Sequence, residues 1–156
     1  MSVETTLKGH DLFRSLPGEQ VAAISDFSSM KEFKKGELVC RYSEPATLLF
    51  LLIKGQVHLR LPASHGQHSL LISTVHSGYF IGLSALTGEE RYKASAICAE
   101  PSSVLVIQAR PFRELLRDNH DVGFQVMSQV ALGYAERYHE VLARMQNIVN
   151  QIPLVV

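Results

Sequence analysis

Short apolar runs separated by turn residues fill the chain from residue 30 to residue 108, and this pattern restricts the fold more than any other feature. Apolar and polar side chains alternate over residues 57–61, which is the period of a strand with one buried and one exposed face. Turn-forming residues such as Gly36 and Gly55 lie between the runs. The predicted strands are residues 32–33, 38–41, 48–53, 57–61, 70–74, 94–99 and 104–108. Strands this short and this frequent predict an antiparallel sandwich or barrel.

The first 29 residues are predicted to be a helical lead-in to these strands. An apolar cluster at residues 12–16 precedes Pro17, a residue favoured in the first turn of a helix. Three apolar residues then recur at helical spacing, namely Val21, Ile24 and Phe27. We expect two short helices with a packing role.

The last third, residues 109–156, is predicted to be a short helix followed by a long one. Pro111 lies in the first turn of the short helix, and the long helix follows from about residue 121. Its apolar residues are spaced alternately three and four apart, which is the a/d pattern of a coiled coil. The predicted seam consists of Phe124, Met127, Ala131, Tyr134, Tyr138, Val141, Met145, Ile148 and Ile152.

This seam predicts a parallel homodimer formed through helix 121–152, with Pro153 ending the helix. A helix of about 29 residues is about 40 Å long, which is more than a domain of this size needs to cover its core. Tyr134 and Tyr138 are bulky for such a seam. The alternative is that these tyrosines face a ligand pocket where the helix meets the barrel.

Length and charge restrict the class of function. The 156 residues fit one structural domain. Lys and Arg together number 15, as do Asp and Glu, and the lack of a basic surplus argues against a dedicated nucleic-acid binder. No apolar run is long enough for a transmembrane helix, and no signal-like stretch begins the chain, so we expect a cytoplasmic protein without a membrane partner. Cys40 and Cys98 are expected to be reduced core residues.

The sequence contains no pattern typical of an enzyme, because the G-x-S-x-G elbow, the P-loop and G-x-G-x-x-G are all missing. Seven histidines raise the alternative of a cupin-type metal site. His65 and His68, however, flank Gly66 in a predicted hairpin tip, where we expect them to be solvated. His58 and His76 would contribute only if the fold brought them together. We therefore predict neither an enzyme nor a metal site.

The order of helical lead-in, short strands and long dimer helix resembles the cyclic nucleotide-binding domain of the Crp/Fnr regulator family. The motifs that carry the resemblance are Leu-Phe-Arg-Ser-Leu-Pro at 12–17, Lys-Gly-Glu-Leu-Val at 35–39, Tyr-Ser-Glu-Pro-Ala at 42–46, Leu-Ile-Lys-Gly-Gln-Val at 52–57 and Gly-Tyr-Phe-Ile-Gly at 78–82. The resemblance covers residues 10–156. It implies a mainly β jelly roll, or double-stranded β-helix, with flanking helices and a long C-terminal dimerisation helix.

The last of these motifs leads into what resembles the family's phosphate-binding cassette. In the family, the free N–H groups of a short helix hold the cyclic phosphate. A Glu after the Gly accepts the ribose 2′-hydroxyl, and an Arg nine or ten residues later pairs with the phosphate. The residues that the resemblance places in this ligand site are Gly82, Leu83, Ser84, Ala85, Arg91, Tyr92, Lys93, Ala94 and Ser95.

The cassette departs from the family's pattern at both of these contacts. Leu83 stands in the Glu position, and its side chain cannot accept a hydrogen bond, which costs about 1–3 kcal/mol for a buried hydroxyl. Counted without gaps, the Arg position falls on Tyr92 or Lys93, whereas a one-residue deletion would place Arg91 there, and the register stays open. Lysine keeps the charge but lacks the bidentate fork of arginine. We expect no tight binding of cAMP or cGMP, although Ser84 and the cassette amides remain able to hold an anion.

The resemblance therefore implies a ligand-sensing domain of a Crp/Fnr-type transcriptional regulator or of a stand-alone relative. Family members sense haem-bound gases, oxoacids or phenols, so cyclic nucleotide and haem are both candidate cofactors, and neither has an intact motif here. The alternatives are a genuine cyclic nucleotide-binding protein and a ligand-free structural or partner-binding dimer with a filled interior near Leu83 and Lys93. Residues 151–156 look like the junction to the family's helix-turn-helix domain, so we expect DNA contact only through a domain absent from this chain.

Overall fold

The computed structural model describes residues 2–62 and 68–152, which form two four-stranded antiparallel sheets flanked by helices. This architecture confirms the predicted mainly β jelly roll with a long C-terminal helix. The strands are β1 Ser28–Phe33, β2 Leu38–Cys40, β3 Leu48–Lys54, β4 Gln56–Pro62, β5 Ser69–His76, β6 Phe80–Ile81, β7 Ser95–Cys98 and β8 Ser102–Gln108. The helices are α1 Val3–Gly9, α2 Gly18–Asp26, α3 Ser84–Thr87, α4 Ala109–Asp118 and α5 His120–Asn150. None of these helices is long and apolar enough to cross a membrane.

The central strand β3 is buried on both faces. The sheets have the strand orders β1-β8-β3-β6 and β2-β7-β4-β5. In β3, Phe50 and Leu52 belong to the apolar cluster shared by the two sheets, whereas Leu49 and Leu51 belong to the cluster shared with the helices. Burial on both sides explains why this strand is an unbroken apolar run instead of an alternating one.

Two short helices precede the strands as predicted, and α2 follows Pro17, but the first helix is α1 and does not include the apolar cluster at residues 12–16. Residues 12–16 form successive turns between α1 and α2 instead of a helix. The carbonyl oxygen of His10 accepts hydrogen bonds from the backbone N–H groups of Phe13 and Arg14, each at 3.0 Å. Leu12 and Phe13 are nevertheless buried, so the cluster reflects packing and not helical periodicity.

Two strands differ from the predicted set by more than two residues. β1 begins at Ser28, four residues earlier than predicted, because the whole segment pairs with β8 as the edge of its sheet. Its sequence is mostly polar, since an edge strand is largely exposed. β6 was not predicted, because its two residues give no period, and it forms by pairing with Phe50 and Leu51 of β3.

The two faces of α5 have different surroundings. Its buried residues pack on the domain and are Val122, Val126, Val130 and Gly133. On the predicted seam, Phe124 is 75% exposed and Ile148 is 60% exposed. The other exposed seam residues are Met127, Ala131, Tyr134, Tyr138, Met145 and Ile152, whereas Val141 is partly buried. The helix therefore carries an apolar stripe that its own domain does not cover, and Pro153 lies outside the described residues.

Candidate functional site

A cavity of about 330 Å³ lies between the β-roll and α5. Its walls come from β2, β4, β5, α5 and the cassette, which runs from the end of β6 to the start of β7. The residues that line it are Cys40, Leu59, Ile72, Ile81, Gly82, Leu83, Ser84, Tyr92, Lys93, Ala94, Tyr134, Arg137, Tyr138 and Val141. The structure thus brings most of the predicted cassette and both predicted pocket-facing tyrosines to one cavity.

The cassette begins with a sharp turn at Gly82, whose φ is +76°. A Cβ atom at this position would lie 3.1 Å from the ring of Tyr92 and 3.2 Å from a backbone carbonyl oxygen. Glycine avoids both the strain of the left-handed backbone and this close approach. The turn leads into α3, which Arg113 of α4 holds by donating from Nη1 to the carbonyl oxygen of Ala85 at 3.1 Å.

Leu83 makes the cavity wall apolar at the position where the family has Glu. Its side chain is buried and lines the cavity beside Ile81 and the buried Ser84. The hydroxyl of Ser84 is the polar side-chain group that α3 contributes to the lining. A ribose hydroxyl next to Leu83 would therefore gain no acceptor from that side chain.

The candidates for the family's Arg position have different surroundings. Arg91 is exposed and outside the cavity lining, and its Nη1 donates to the carbonyl oxygen of Ser43 at 2.6 Å. Lys93 does line the cavity, but its Nζ lies 2.9 Å from a carboxylate oxygen of Glu89. Hydrogen bonding to Glu89 raises the pKa of Lys93. The cation of Lys93 is therefore already paired at the surface.

Tyr92 is buried beside the cassette and is fixed to β3. Its hydroxyl donates to the carbonyl oxygen of Leu48 at 2.7 Å and accepts from the backbone N–H of the same residue at 3.2 Å. Burial raises the pKa of Tyr92 to about 12. The phenol therefore stays neutral and serves to hold the cassette against the sheet.

Small residues complete the cassette. Ala94 lines the cavity, and Ala85 is buried in the apolar cluster between the sheets. Ser95 lies outside the lining, where its Oγ accepts a hydrogen bond from the backbone N–H of Tyr42 at 2.9 Å. The side chain of Ser95 thus joins the start of β7 to the turn that follows β2.

Residues of α5 close the cavity on the side opposite the cassette. Tyr134 is 46% exposed and Tyr138 is 62% exposed, although both line the cavity. The tyrosines therefore lie at the mouth of the cavity and on the outward stripe at the same time. The two roles considered for them from the sequence do not exclude each other.

Arg137 is the charged residue of this cavity that the sequence pattern did not predict. Its Nη2 donates to the carbonyl oxygen of Phe80, two residues before the cassette turn. Burial lowers the pKa of this guanidinium, and Tyr134, Glu140 and Glu136 act in the opposite direction. In the sequence, Arg137 lies between Tyr134 and Tyr138, the two tyrosines considered for a ligand pocket. A charged residue that packs against the domain requires polar partners, so its position beside these tyrosines could have indicated a role in the pocket.

Cysteine and histidine do not form a reactive cluster in the described part of the chain. Cys40 lines the cavity as a free thiol, and burial raises its pKa to about 12. Cys98 is likewise free and buried. Among residues 2–62 and 68–152, no three His, Cys, Asp or Glu side chains are grouped so that they could hold a metal ion. The predicted hairpin tip with His65 lies outside these residues.

Two antiparallel sheets, a cassette after β6 and a closing C-terminal helix together define the cyclic nucleotide-binding class of domain. The model of the cyclic nucleotide-binding domain family matches residues 30–119. The chain therefore belongs to this family, which confirms the resemblance drawn from its sequence.

The similar curated proteins are much longer than this chain. Human cGMP-dependent protein kinase 2 is 27% identical over 130 residues, which are 82% of this chain and 16% of the kinase. The cGMP-dependent protein kinase, isozyme 2 forms cD5/T2, of Drosophila melanogaster is 26% identical over 118 residues, 74% of this chain and 13% of that protein. The chain thus spans less than a fifth of the length of these kinases.

Several solved structures share the fold. A protein of Geobacter metallireducens GS-15 is 29% identical with a TM-score of 0.71, covering 89% of this chain and 100% of that one. The sensor domain of the transcriptional regulator DNR from Pseudomonas aeruginosa is 19% identical with a TM-score of 0.69, covering 98% and 95%. The c-di-GMP-responsive global regulator CLP from Xanthomonas campestris is 12% identical with a TM-score of 0.74, covering 87% and 66%.

Proposed function

We propose that the chain is a ligand-sensing regulatory domain of a Crp/Fnr-type transcriptional regulator or of a stand-alone relative, with its effector bound between the cassette and α5. The observation that carries this proposal is the cavity of about 330 Å³, whose walls come from both elements. Its volume is typical of small-molecule sites. A ligand-free dimer with a filled interior is disfavoured, because Leu83, Ser84 and Lys93 line open space.

The polar groups of the cavity do not match a cyclic nucleotide. Leu83 offers no acceptor to a ribose hydroxyl, and Arg91 is directed to Ser43 outside the lining. Loss of two such partners, at about 1–2 kcal/mol each, would weaken a micromolar nucleotide to a Kd of about 0.1 mM. The effector is therefore not cAMP or cGMP bound tightly through the cassette.

An effector in this cavity would act on α5 through the contacts beside it. Arg137 donates to the carbonyl oxygen of Phe80 in β6, and the hydroxyl of Tyr79 donates to Glu136 at 2.9 Å. These contacts tie the middle of α5 to the entrance of the cassette. An effector that moves the cavity-facing tyrosines would change how α5 sits on the roll.

The outward stripe of α5 is the proposed interface of a parallel homodimer. In a single chain the stripe leaves large apolar side chains in water, Phe124 and Ile148 among them. Its spacing is that of coiled-coil a and d positions. A shift of α5 on the roll would then change the packing of the two paired helices, and this change would be the regulatory response to the effector.

Calorimetric titration of cAMP and cGMP into the wild-type chain and into Leu83→Gln tests the proposal. Gln supplies the missing acceptor without adding a charge. We expect a wild-type Kd of about 0.1 mM or weaker, and binding to Leu83→Gln that is about 5- to 30-fold tighter, because one of the two missing partners is restored. Leu70→Gln is the matched control, because Leu70 is exposed and outside the cavity.

A genuine cyclic nucleotide-binding protein is the second candidate. The family model and the cGMP dependence named in the kinase relatives favour it. Low-micromolar binding of either nucleotide to the wild-type chain would establish this candidate and overturn our conclusion that the effector is not a cyclic nucleotide.

A further inference from the structure

One cation in the effector cavity makes no close ion pair with any described residue. Arg137 lines the cavity, and its Nη2 donates to the carbonyl oxygen of Phe80. Within residues 2–62 and 68–152, none of the ion pairs closer than 4.0 Å includes this guanidinium. A guanidinium has five N–H donors, so donors remain for a ligand after the bond to Phe80 is made.

The two carboxylates of α5 that act on Arg137 hold other hydrogen bonds. Glu136 accepts from the hydroxyl of Tyr79 at 2.9 Å, and Glu140 accepts from the backbone N–H of Thr74 at 3.2 Å. Desolvation outweighs their attraction and lowers the pKa of Arg137. The positive charge of the partly buried Arg137 is therefore not fully balanced by nearby carboxylates, and a bound anion would supply a balancing negative charge.

The remainder of the lining is suited to an apolar body. Aliphatic side chains of the roll, Leu59, Ile72 and Ile81, face the cavity, and the aromatic rings of α5 close it. The other cation of the lining, Lys93, is already paired with Glu89. The cavity thus offers one cation that is partly buried and outside any close ion pair, in a mainly apolar lining, which matches a ligand with one anionic group.

We propose that the effector is a small organic acid with an apolar body, whose carboxylate is bound by the guanidinium of Arg137. This inference rests on the proposed function of the cavity as the effector site. A planar guanidinium binds a carboxylate with two parallel hydrogen bonds, which favours an acid over a neutral molecule of the same shape. Because Arg137 also holds the backbone of Phe80, the anion would bind at the contact that joins α5 to the cassette.

The test compares phenylacetate and 4-phenylbutyrate with their neutral amides, by calorimetry on the full chain at neutral pH. We expect each acid to bind about 10- to 100-fold more tightly than its amide, since a hydrogen bond to a charged group is worth about 1.5–3 kcal/mol. In Arg137→Gln the ratio should fall to near one. The matched control is Arg144→Gln, because Arg144 lies one heptad later on α5 and donates to the carbonyl oxygen of Leu71 at 3.1 Å outside the cavity lining. It should keep the wild-type ratio.

The possible results separate this inference from the proposed function. Amides that bind as tightly as the acids would overturn the anionic effector and leave the sensing cavity intact. A preference that persists in Arg137→Gln would overturn the role of this residue. If that variant does not fold, Arg137→Lys keeps a charge without the fork, and a ratio unchanged from the wild type would overturn the assignment. If no probe of either charge binds, the organic-acid effector is overturned, whereas the proposed function is tested separately by the nucleotide titrations and by the fluorescence reporter on α5.

Discussion

At the scale of single residues, the cassette is held in place by a tyrosine at one of the positions where the family's arginine would fall. Both hydrogen bonds of the Tyr92 hydroxyl are made to Leu48, so the side chain links the cassette to β3. The phenol is buried and its pKa is raised to about 12 by that burial, so it contributes no charge to the cavity. Arg137, from a distant part of the sequence, brings a charge there instead.

We predict that Tyr92→Phe destabilises the fold by about 1–3 kcal/mol, because a buried hydroxyl that makes two hydrogen bonds is lost. The measurement is the midpoint of urea unfolding, followed by circular dichroism. Tyr42→Phe is the control, since Tyr42 is exposed and its change should stay within about 0.5 kcal/mol. Equal stability of Tyr92→Phe and the wild type would contradict the role given to this tyrosine.

The sequence could predict the residues of the cassette but not the arginine opposite them. Gly82 and Leu83 follow a local motif, so their place in the chain is enough to locate them. The contact of Arg137 joins residues 57 positions apart, and it depends on how α5 lies against β6. A sequence pattern predicts which residues share one face of a helix. Which residues that face contacts depends on the tertiary packing.

At the scale of elements, α5 has two faces with different surroundings. Its buried valines anchor the helix to the domain, and its exposed stripe follows the coiled-coil spacing recognised in the sequence. The spacing located the stripe because it continues for several turns. The apolar cluster at residues 12–16 is too short to show a helical period. Its residues lie in turns, where Leu12 and Phe13 are buried.

Substitution on the outward face tests the proposed helix pair. We predict that Ile148→Glu converts the proposed dimer to a monomer of 17.4 kDa, because it places like charges across the seam in a parallel pair. Light scattering coupled to size exclusion measures the mass. Ile148 is preferable to Val141 for this test, because Val141 also lines the cavity.

Gln146→Glu is the matched control for Ile148→Glu. It adds the same charge at an exposed position of α5 beside the seam, and it should leave the dimer intact. A monomeric wild-type chain, or a dimer that persists in Ile148→Glu, would show that the interface lies elsewhere.

At the scale of the whole molecule, one cavity lies between the β-roll with its cassette, which would bind an effector, and α5, which would pair two chains. The fold class was predictable because short strands, turn residues and a long apolar stripe are all local signals. The cavity was not, because its lining is collected from three strands, the cassette and α5. Neutral net charge agrees with this organisation, since neither the roll nor the helix pair requires a basic surface.

The central claim is that a small molecule binds in this cavity and changes the environment of α5. A tryptophan placed on α5 tests this claim most directly, because its fluorescence emission depends on its surroundings. The chain contains no tryptophan, so Tyr138→Trp places a unique fluorophore at the cavity mouth on α5. We predict a saturable change of its emission with phenylacetate, and no change once Ala94→Phe is added to fill the cavity. Emission that stays constant with phenylacetate, phenylacetamide, cAMP and cGMP, or a response that survives Ala94→Phe, would contradict the account.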